Sequence, residues 1–194
     1  TMTVDILSNN LSLLKSLHPK EYEIVNNTHP SLKYEVSLSQ SGLPTLSYLG
    51  IKGKKKYLLS KYDPEQEARR FIKSLDTSDA NNFIVIGIGL GYHIIELIKT
   101  TSEHSRILVI ENDKSLSRLA FETNDLKQIL THPGLTLVFS DQQEGMKEVL
   151  EEEKINFSLN GYRLIQQNSL SEVNSIRTNE LLARIKGLFQ ASTI

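Results

Sequence analysis

The spacing of hydrophobic positions changes character near residue 60 of the chain. Leucines at helical spacing predict a helix over Leu7–Leu17. Leu32–Leu38 then alternates apolar with polar residues, which is typical of a half-buried strand. Two further strands are predicted around Leu46–Tyr48 and Tyr57–Leu59, each preceded by a glycine-containing turn. This first part of the chain therefore predicts a helix followed by a small antiparallel β-meander.

A strong helix start follows the meander. Asp63 has the residue type of an N-cap, Pro64 suits the first helical position, and Gln66 can complete a capping box. The helix that they begin carries one apolar face, made by Ala68, Phe71, Ile72 and Leu75.

Strands and helices alternate in the rest of the chain. Continuous apolar runs predict strands at Phe83–Ile88, Ile107–Ile110 and Leu135–Phe139, with a further strand considered at Ile155–Leu159. Helices are predicted at Tyr92–Thr100, Lys114–Thr123, Asp125–Leu130, Gln143–Glu152 and Leu170–Gln190. This alternation predicts an α/β fold, a Rossmann-like parallel sheet flanked by helices. We expect a meander subdomain over residues 1–62 and a Rossmann-like domain over residues 63–194.

Three alternating glycines follow the first of these apolar strands. Gly87, Gly89 and Gly91 lead directly into a predicted helix, and Glu111 ends the next apolar run twenty residues after Gly91. Glycine lets a backbone approach a ligand closely, and a helix N-terminus favours negative or electron-rich groups. An acid at the tip of the second strand can accept hydrogen bonds from ribose hydroxyls. The layout therefore predicts a nucleotide-type pocket.

The glycine pattern leaves the ligand open. A dinucleotide fingerprint requires G-x-G-x-x-G, whereas Tyr92 directly follows Gly91. S-adenosylmethionine (SAM) methyltransferases usually have an acid two residues before the first glycine, where this chain has Val85. The glycines can also serve only to pack the strand tightly against the helix. The cofactor is thus unknown, with a nucleotide or a SAM-like ligand as the candidates.

Other polar residues lie where ligands bind in such sheets, at the carboxyl ends of the strands. Tyr92 follows the glycine turn, and Asn112 follows Glu111. Asp141 follows the third strand and can either contact a base edge or cap a helix. His93 is a candidate general base, or a structural residue of the first helical turn. The sequence assigns no catalytic residue and shows no metal-ligand spacing.

Composition narrows the function classes. The 194 residues carry a formal net charge of −1, so no overall positive field recruits nucleic acid or acidic membranes. The absence of cysteine excludes disulfides and thiolate metal sites, and it fits a reducing cytoplasm. No apolar run approaches the roughly 20 residues that span a bilayer. The helical pattern that continues to the last residues predicts that the chain is a fragment of a longer protein.

Two segments together resemble the N-terminal domain of the motility-associated factor (Maf) glycosyltransferases. The first is Ser60–Pro64 with Glu67-Ala68 close behind, and the second is Gly87–His93 followed by Ile110-Glu111. The resemblance covers about residues 30 to 160. It implies a bacterial cytoplasmic enzyme that transfers a nonulosonic, sialic-acid-like sugar from a nucleotide-activated donor to Ser or Thr of flagellin. It also implies that the transferase chemistry belongs to a central domain that follows this one.

Three functions therefore remain open from the sequence. The first is a Rossmann-like accessory domain of a Maf-type glycosyltransferase, inactive as a transferase alone and reaching flagellin through its parent protein. The second is a SAM-dependent methyltransferase in which Glu111 binds the ribose. The third is a non-catalytic interaction module whose pocket is vestigial.

Overall fold

The computed structural model describes residues 5–140, 147–154, 161–167, 169–170, 173 and 175–190. The helices are α1 Ile6–Leu17, α2 Pro19–Asn26, α3 Pro64–Ser74, α4 Tyr92–Thr100, α5 Lys114–Thr123, α6 Lys127–Leu130, α7 over residues 147–154 and α8 Ser175–Gln190. The strands are β1 Tyr34–Leu38, β2 Pro44–Leu49, β3 Lys55–Tyr57, β4 Asn82–Ile86, β5 Arg106–Glu111, β6 Leu135–Phe139 and β7 Arg163–Gln166.

The parallel sheet has the order β6-β5-β4-β7, and each neighbouring pair is parallel. All five residues of β4 are buried, which explains its continuous apolar run. The predicted parallel pairing of the three apolar strands is confirmed. Strand β7 was not predicted, because only its middle positions are apolar and Arg163 and Gln166 flank them. The strand considered at Ile155–Leu159 lies outside the described residues.

Helices cover both faces of this sheet. Successive side chains of a strand point to opposite faces. Phe83 and Val85 therefore pack with helices α1, α2, α4, α5 and α6 on one side, in a core that includes Leu14 and Phe121. Ile84 and Ile86 pack on the other side against residues of α7 and α8. The predicted α/β class with helices flanking a parallel sheet is thus confirmed.

The meander forms a second sheet of order β1-β2-β3, antiparallel throughout. It packs against the segment that follows β4, in a third core that joins Leu46 and Leu58 of the meander region to Leu90 and Tyr92. The Tyr92 hydroxyl donates to the Pro44 carbonyl over 2.6 Å. The meander therefore lies at the carboxyl end of the parallel sheet. The division of the chain at residue 62 remains a prediction.

Several helix predictions need correction. Helix α2 was not predicted. The helix predicted over Leu170–Gln190 is interrupted, because Ser169 and Leu170 are helical but Val173 lies in a turn, and α8 begins at Ser175. Asp63 caps α3 as predicted, since its side chain accepts from the Gln66 nitrogen over 3.0 Å. The reciprocal half of the capping box was wrong. The hydroxyl of Ser60, not the Gln66 side chain, accepts from the Asp63 nitrogen.

Candidate functional site

The carboxyl ends of β4 and β7 border the crevice where this fold class binds ligands. The chain runs from β4 outward to β5 and β6, and then returns to place β7 on the other side of β4. Such a reversal of strand order opens a crevice beyond the carboxyl ends of the strands. The glycine turn leaves β4 at this point, so the predicted pocket residues lie at the expected position in the fold.

The glycine turn adopts a backbone that disfavours side chains. Gly89 has φ +54° and Gly91 has φ +91°, both in the left-handed region that glycine tolerates best. At Gly91 packing adds a second reason, because a Cβ atom would lie 2.9 Å from Leu126 Cδ2. Gly91 is also the N-cap of α4. This glycine is therefore explained by the fit between the turn and α6.

A side chain of the protein itself lies over the other two glycines. A Cβ atom at Gly89 would be 3.0 Å from Leu170 Cδ1, and one at Gly87 would be 3.7 Å from Leu170 Cβ. Leu170 is only 8% exposed and belongs to the core that joins the meander to the turn. The adjacent Ser169 hydroxyl donates to the Leu58 carbonyl over 2.7 Å, which attaches this segment to the meander. Leu170 thus occupies the space that a ligand against the turn would use.

Glu111 is buried at the tip of β5, with 4% of its surface exposed. Its Oε1 accepts a hydrogen bond from the Ile88 nitrogen, and its Oε2 accepts one from the Asp113 nitrogen, each over 3.0 Å. Burial raises the pKa of Glu111 to about 7, although these backbone N–H groups oppose the shift. Glu111, which the sequence predicts to bind a ribose, therefore connects the end of β5 to the glycine turn through hydrogen bonds.

Two further polar residues follow Glu111. The Asp113 side chain caps α5 by accepting from the Ser115 nitrogen, and it also accepts from the Tyr34 hydroxyl over 2.6 Å. Burial alone would raise the pKa of Asp113, but the hydrogen bonds from Ser115 and Tyr34 and the charge of Lys33 lower it. The amide Nδ2 of Asn112 is buried and has no hydrogen-bond partner among the described residues. Asn112 therefore places a buried donor at this edge of the sheet.

His93 is not placed as a free general base. The residue is 2% exposed, and its Nε2 lies 2.9 Å from the Gly87 carbonyl oxygen. Because a carbonyl only accepts, Nε2 carries the proton in this contact. Burial lowers the pKa of His93 to about 4, so the ring is neutral at pH 7. The geometry fits a structural role, in which the His93 ring bonds to the Gly87 carbonyl at the start of the same turn.

The structure thus brings six of the seven predicted site residues to one edge of the sheet, namely Gly87, Gly89, Gly91, Tyr92, Glu111 and Asn112. The seventh, Asp141, lies outside the described residues. The sequence analysis missed Leu170, because the sequence pattern around it is a weak indication of a buried position. It is a single leucine within the polar stretch that follows Gln166. The contact of Tyr34 and Lys33 with Asp113 was also missed, because it joins residues about 80 positions apart.

Within the described part of the chain, His, Asp and Glu side chains form no group of three or more placed to hold a metal ion. No helix in that part is both long and apolar enough to cross a bilayer.

Comparisons with known proteins leave the ligand undetermined. Neither the models of known families nor the curated proteins give a match to this chain. Among solved structures, the crystal structure of MNMC2 from Aquifex aeolicus is similar, with 17% sequence identity and a TM-score of 0.37. The match covers 73% of this chain and 58% of that one, so the chain spans less than two thirds of that protein. The function proposed below therefore rests on the residues of this chain.

Proposed function

We propose that this chain is the N-terminal, Rossmann-like accessory domain of a Maf-type glycosyltransferase. The parent protein would transfer a nonulosonic sugar from a nucleotide-activated donor to Ser or Thr of flagellin, in the bacterial cytoplasm. The two sequence segments that resemble this family support the proposal. The accessory domain would contribute recognition of a nucleotide-type ligand or of protein, and flagellin would be a partner of the parent protein.

The observation that carries the proposal is that the two family-like segments meet in one hydrophobic core. Ala68 of the first segment packs in the same buried cluster as Leu90 and Tyr92 of the second. The first segment is also held together by its own residues. Ser60 donates its backbone N–H to Glu67 Oε1 over 2.9 Å. Two segments that pack in one core are expected to occur together in related proteins. Their presence together here therefore supports a common origin with the Maf family over a chance resemblance.

The polar side chains at the crevice support an accessory role over a catalytic one. The oxygens of Glu111 accept backbone hydrogen bonds, Asp113 caps α5, and His93 is buried and neutral. General acid–base catalysis needs a titratable group that reaches the substrate. In the described part of the crevice these three groups instead hold the turn and the helix starts, so we assign the transfer step to another part of the parent protein.

A SAM-dependent methyltransferase is the second candidate. The strand order β6-β5-β4-β7 and the acid at the tip of β5 favour it. Val85 counts against it, because this fully buried valine stands where that family usually has a carboxylate. Transfer of a labelled methyl group from SAM by the purified chain would establish this candidate instead of the first.

Mass spectrometry of flagellin tests the proposal. In the bacterium that carries this gene, deletion of the gene should remove the mass of a nonulosonic sugar from flagellin peptides. The intact gene should restore it, and a gene encoding residues 1–194 alone should not. Flagellin of unchanged mass in the deletion strain would contradict the proposal.

A further inference from the structure

We infer that the crevice beyond β4 and β7 is a latent site for a ribonucleoside with an unmodified ribose, and that the Leu170 side chain competes with this ligand. The inference deepens the proposed function, on which the nucleotide class of the ligand rests. It makes Leu170 the internal occupant of a ligand site, rather than one more core residue of a vestigial pocket.

Among the described residues, Leu170 lies nearest to the turn at Gly87 and Gly89, and His93 Cε1 is the next neighbour at Gly89. Leu170 atoms are the neighbours that a Cβ at Gly87 would meet, at 3.7 and 3.8 Å. They are also the two nearest to a Cβ at Gly89, at 3.0 and 3.6 Å. Truncation of Leu170 beyond its Cβ therefore removes both of its contacts at Gly89 and one of the two at Gly87, where the Leu170 Cβ stays at 3.7 Å.

Gly87, on the crevice side of the turn, differs from Gly91 in what a Cβ atom at each position would contact. Gly91 is excluded from carrying a side chain by Leu126 and Ile129, whose methyl carbons would lie 2.9 and 3.1 Å from its Cβ. At Gly87 a Cβ would meet only ordinary van der Waals contacts, so packing does not account for this glycine. Its φ of +92° does, because the turn shape itself requires it. At Gly87 the only described contacts of a Cβ are therefore with Leu170, at the edge of the sheet where ligands of this fold class bind.

Polar groups beside the turn match a ribose and its base. The Glu111 carboxylate accepts backbone hydrogen bonds from Ile88 and Asp113, and the Asn112 backbone N–H is a third donor to it. A carboxylate has about four lone-pair sites, so one remains for a ribose hydroxyl. The buried Asn112 Nδ2 lacks an acceptor among the described residues, and a hydroxyl or a ring nitrogen of a nucleoside can supply one. These two residues are consecutive at the tip of β5, so they can contact neighbouring parts of one ligand.

Charge selects the form of the ribose. Asp113 has Lys33 as a partner at 3.4 Å, whereas Glu111 forms no ion pair with a described residue. Above pH 7, where Glu111 is ionised, a phosphate on the 2′-hydroxyl would be repelled by the Glu111 carboxylate. The site therefore favours a free ribose diol and disfavours a 2′-phosphorylated one.

Calorimetric titration of the 194-residue chain with adenosine tests the inference. Leu170→Ala should bind adenosine at least about tenfold more tightly than the wild type, because no side chain has to leave the crevice. Leu135→Ala is the matched control. Leu135 is as buried as Leu170, at 8% exposure, but begins β6 at the opposite end of the sheet. It should leave the affinity unchanged within about twofold. Leu170→Val keeps most of the packing and should give an intermediate gain, with folding of each variant verified by thermal melting.

Two further titrations address the ligand class. On the Leu170→Ala background, 2′-deoxyadenosine and adenosine 2′-monophosphate should each bind about tenfold more weakly than adenosine. The addition of Glu111→Gln should remove most of the difference between adenosine and its 2′-phosphate. Folded Leu170→Ala and Leu170→Val variants that bind adenosine no better than the wild type would overturn the inference, as would an equal gain in Leu135→Ala. Because these titrations use neither flagellin nor a sugar donor, their failure is distinct from failure of the glycosylation test.

Discussion

The Glu111 carboxylate lies 3.0 Å from the backbone nitrogen of Ile88, so the tip of β5 holds the turn that follows β4. The other oxygen of the same carboxylate holds the start of the next turn through the Asp113 nitrogen. One buried acid thus fixes both loops that border the crevice. A residue at this position can therefore serve the fold and a ligand at once, and its protonation affects both.

The buried position of Glu111 predicts a pH-dependent stability. Its pKa is raised from 4.5 to about 7 in the folded protein, so the folded state holds this proton more tightly than the unfolded state. The contribution is fully present below pH 4.5 and is lost as the pH rises through about 7. Relative to Glu111→Gln, the free energy of unfolding of the wild type should fall by on the order of 3 kcal/mol across this range. Urea melts at several pH values measure it, and parallel pH profiles for the two proteins would refute it.

The glycine turn predicts unequal costs for two alanine substitutions. Gly87→Ala and Gly91→Ala both force a side chain onto a left-handed backbone, which costs about 1–2 kcal/mol. Gly91→Ala also crowds Leu126, so we expect it to lose about 1–3 kcal/mol more than Gly87→Ala. Denaturant unfolding of both variants gives the comparison. Equal losses would mean that α6 yields to the new methyl group without strain.

The start of α3 gives a prediction with a close control. Asp63→Ala should lower the free energy of unfolding by about 0.5–2 kcal/mol, because its side chain accepts from the Gln66 backbone nitrogen. Gln66→Ala retains that nitrogen and should have little effect, since Ser60 rather than the Gln66 side chain accepts from the Asp63 nitrogen. Urea midpoints decide between the two. A larger loss in Gln66→Ala than in Asp63→Ala would reverse this assignment.

A buried asparagine ties α1 to the connection between α5 and α6. The Asn10 side chain donates to the Phe121 and Asn124 carbonyls over 2.9 and 2.7 Å, and accepts from the Leu126 nitrogen over 3.0 Å. Asn10→Ala should cost about 2–4 kcal/mol of unfolding free energy, because these buried backbone groups lose their partner. The neighbouring Asn9 is exposed, so Asn9→Ala should change stability by less than about 0.5 kcal/mol. Similar losses in both variants would show that the Asn10 hydrogen bonds do not stabilise the fold.

The sequence predicts the parallel core well because its signals are local. The apolar run of β4 and the glycines after it lie within eleven consecutive residues, and the chain gives each of the three predicted strands the same continuous apolar character. Strand β7 escapes this reasoning, since a four-residue strand flanked by Arg163 and Gln166 has no periodicity to detect. The Asp63 cap was predictable from residue types alone, but its Ser60 partner depends on the shape of the preceding turn.

The position of the candidate site residues in the fold was predictable from the sequence, and their contacts were not. Motif spacing placed Gly89 and Glu111 at one sheet edge, because parallel strands end on the same side. Leu170 lies over Gly89, although the two residues are 81 positions apart in the chain. No local sequence pattern predicts a contact of this kind. Likewise, spacing identifies Glu111 as an acid at a strand tip, but only the folded structure shows that two backbone N–H groups bind its oxygens.

The Leu170 side chain covers the glycine turn at Gly89, where we expect a ligand to bind. Nuclear Overhauser effects between the Leu170 methyl groups and the Gly89 α-protons test it most directly, with Leu170→Ala used to assign the methyl signals. We expect clear cross-peaks in the ligand-free chain, since Leu170 Cδ1 would lie 3.0 Å from a Cβ at Gly89. A folded chain with both residues assigned and no such cross-peak would contradict it.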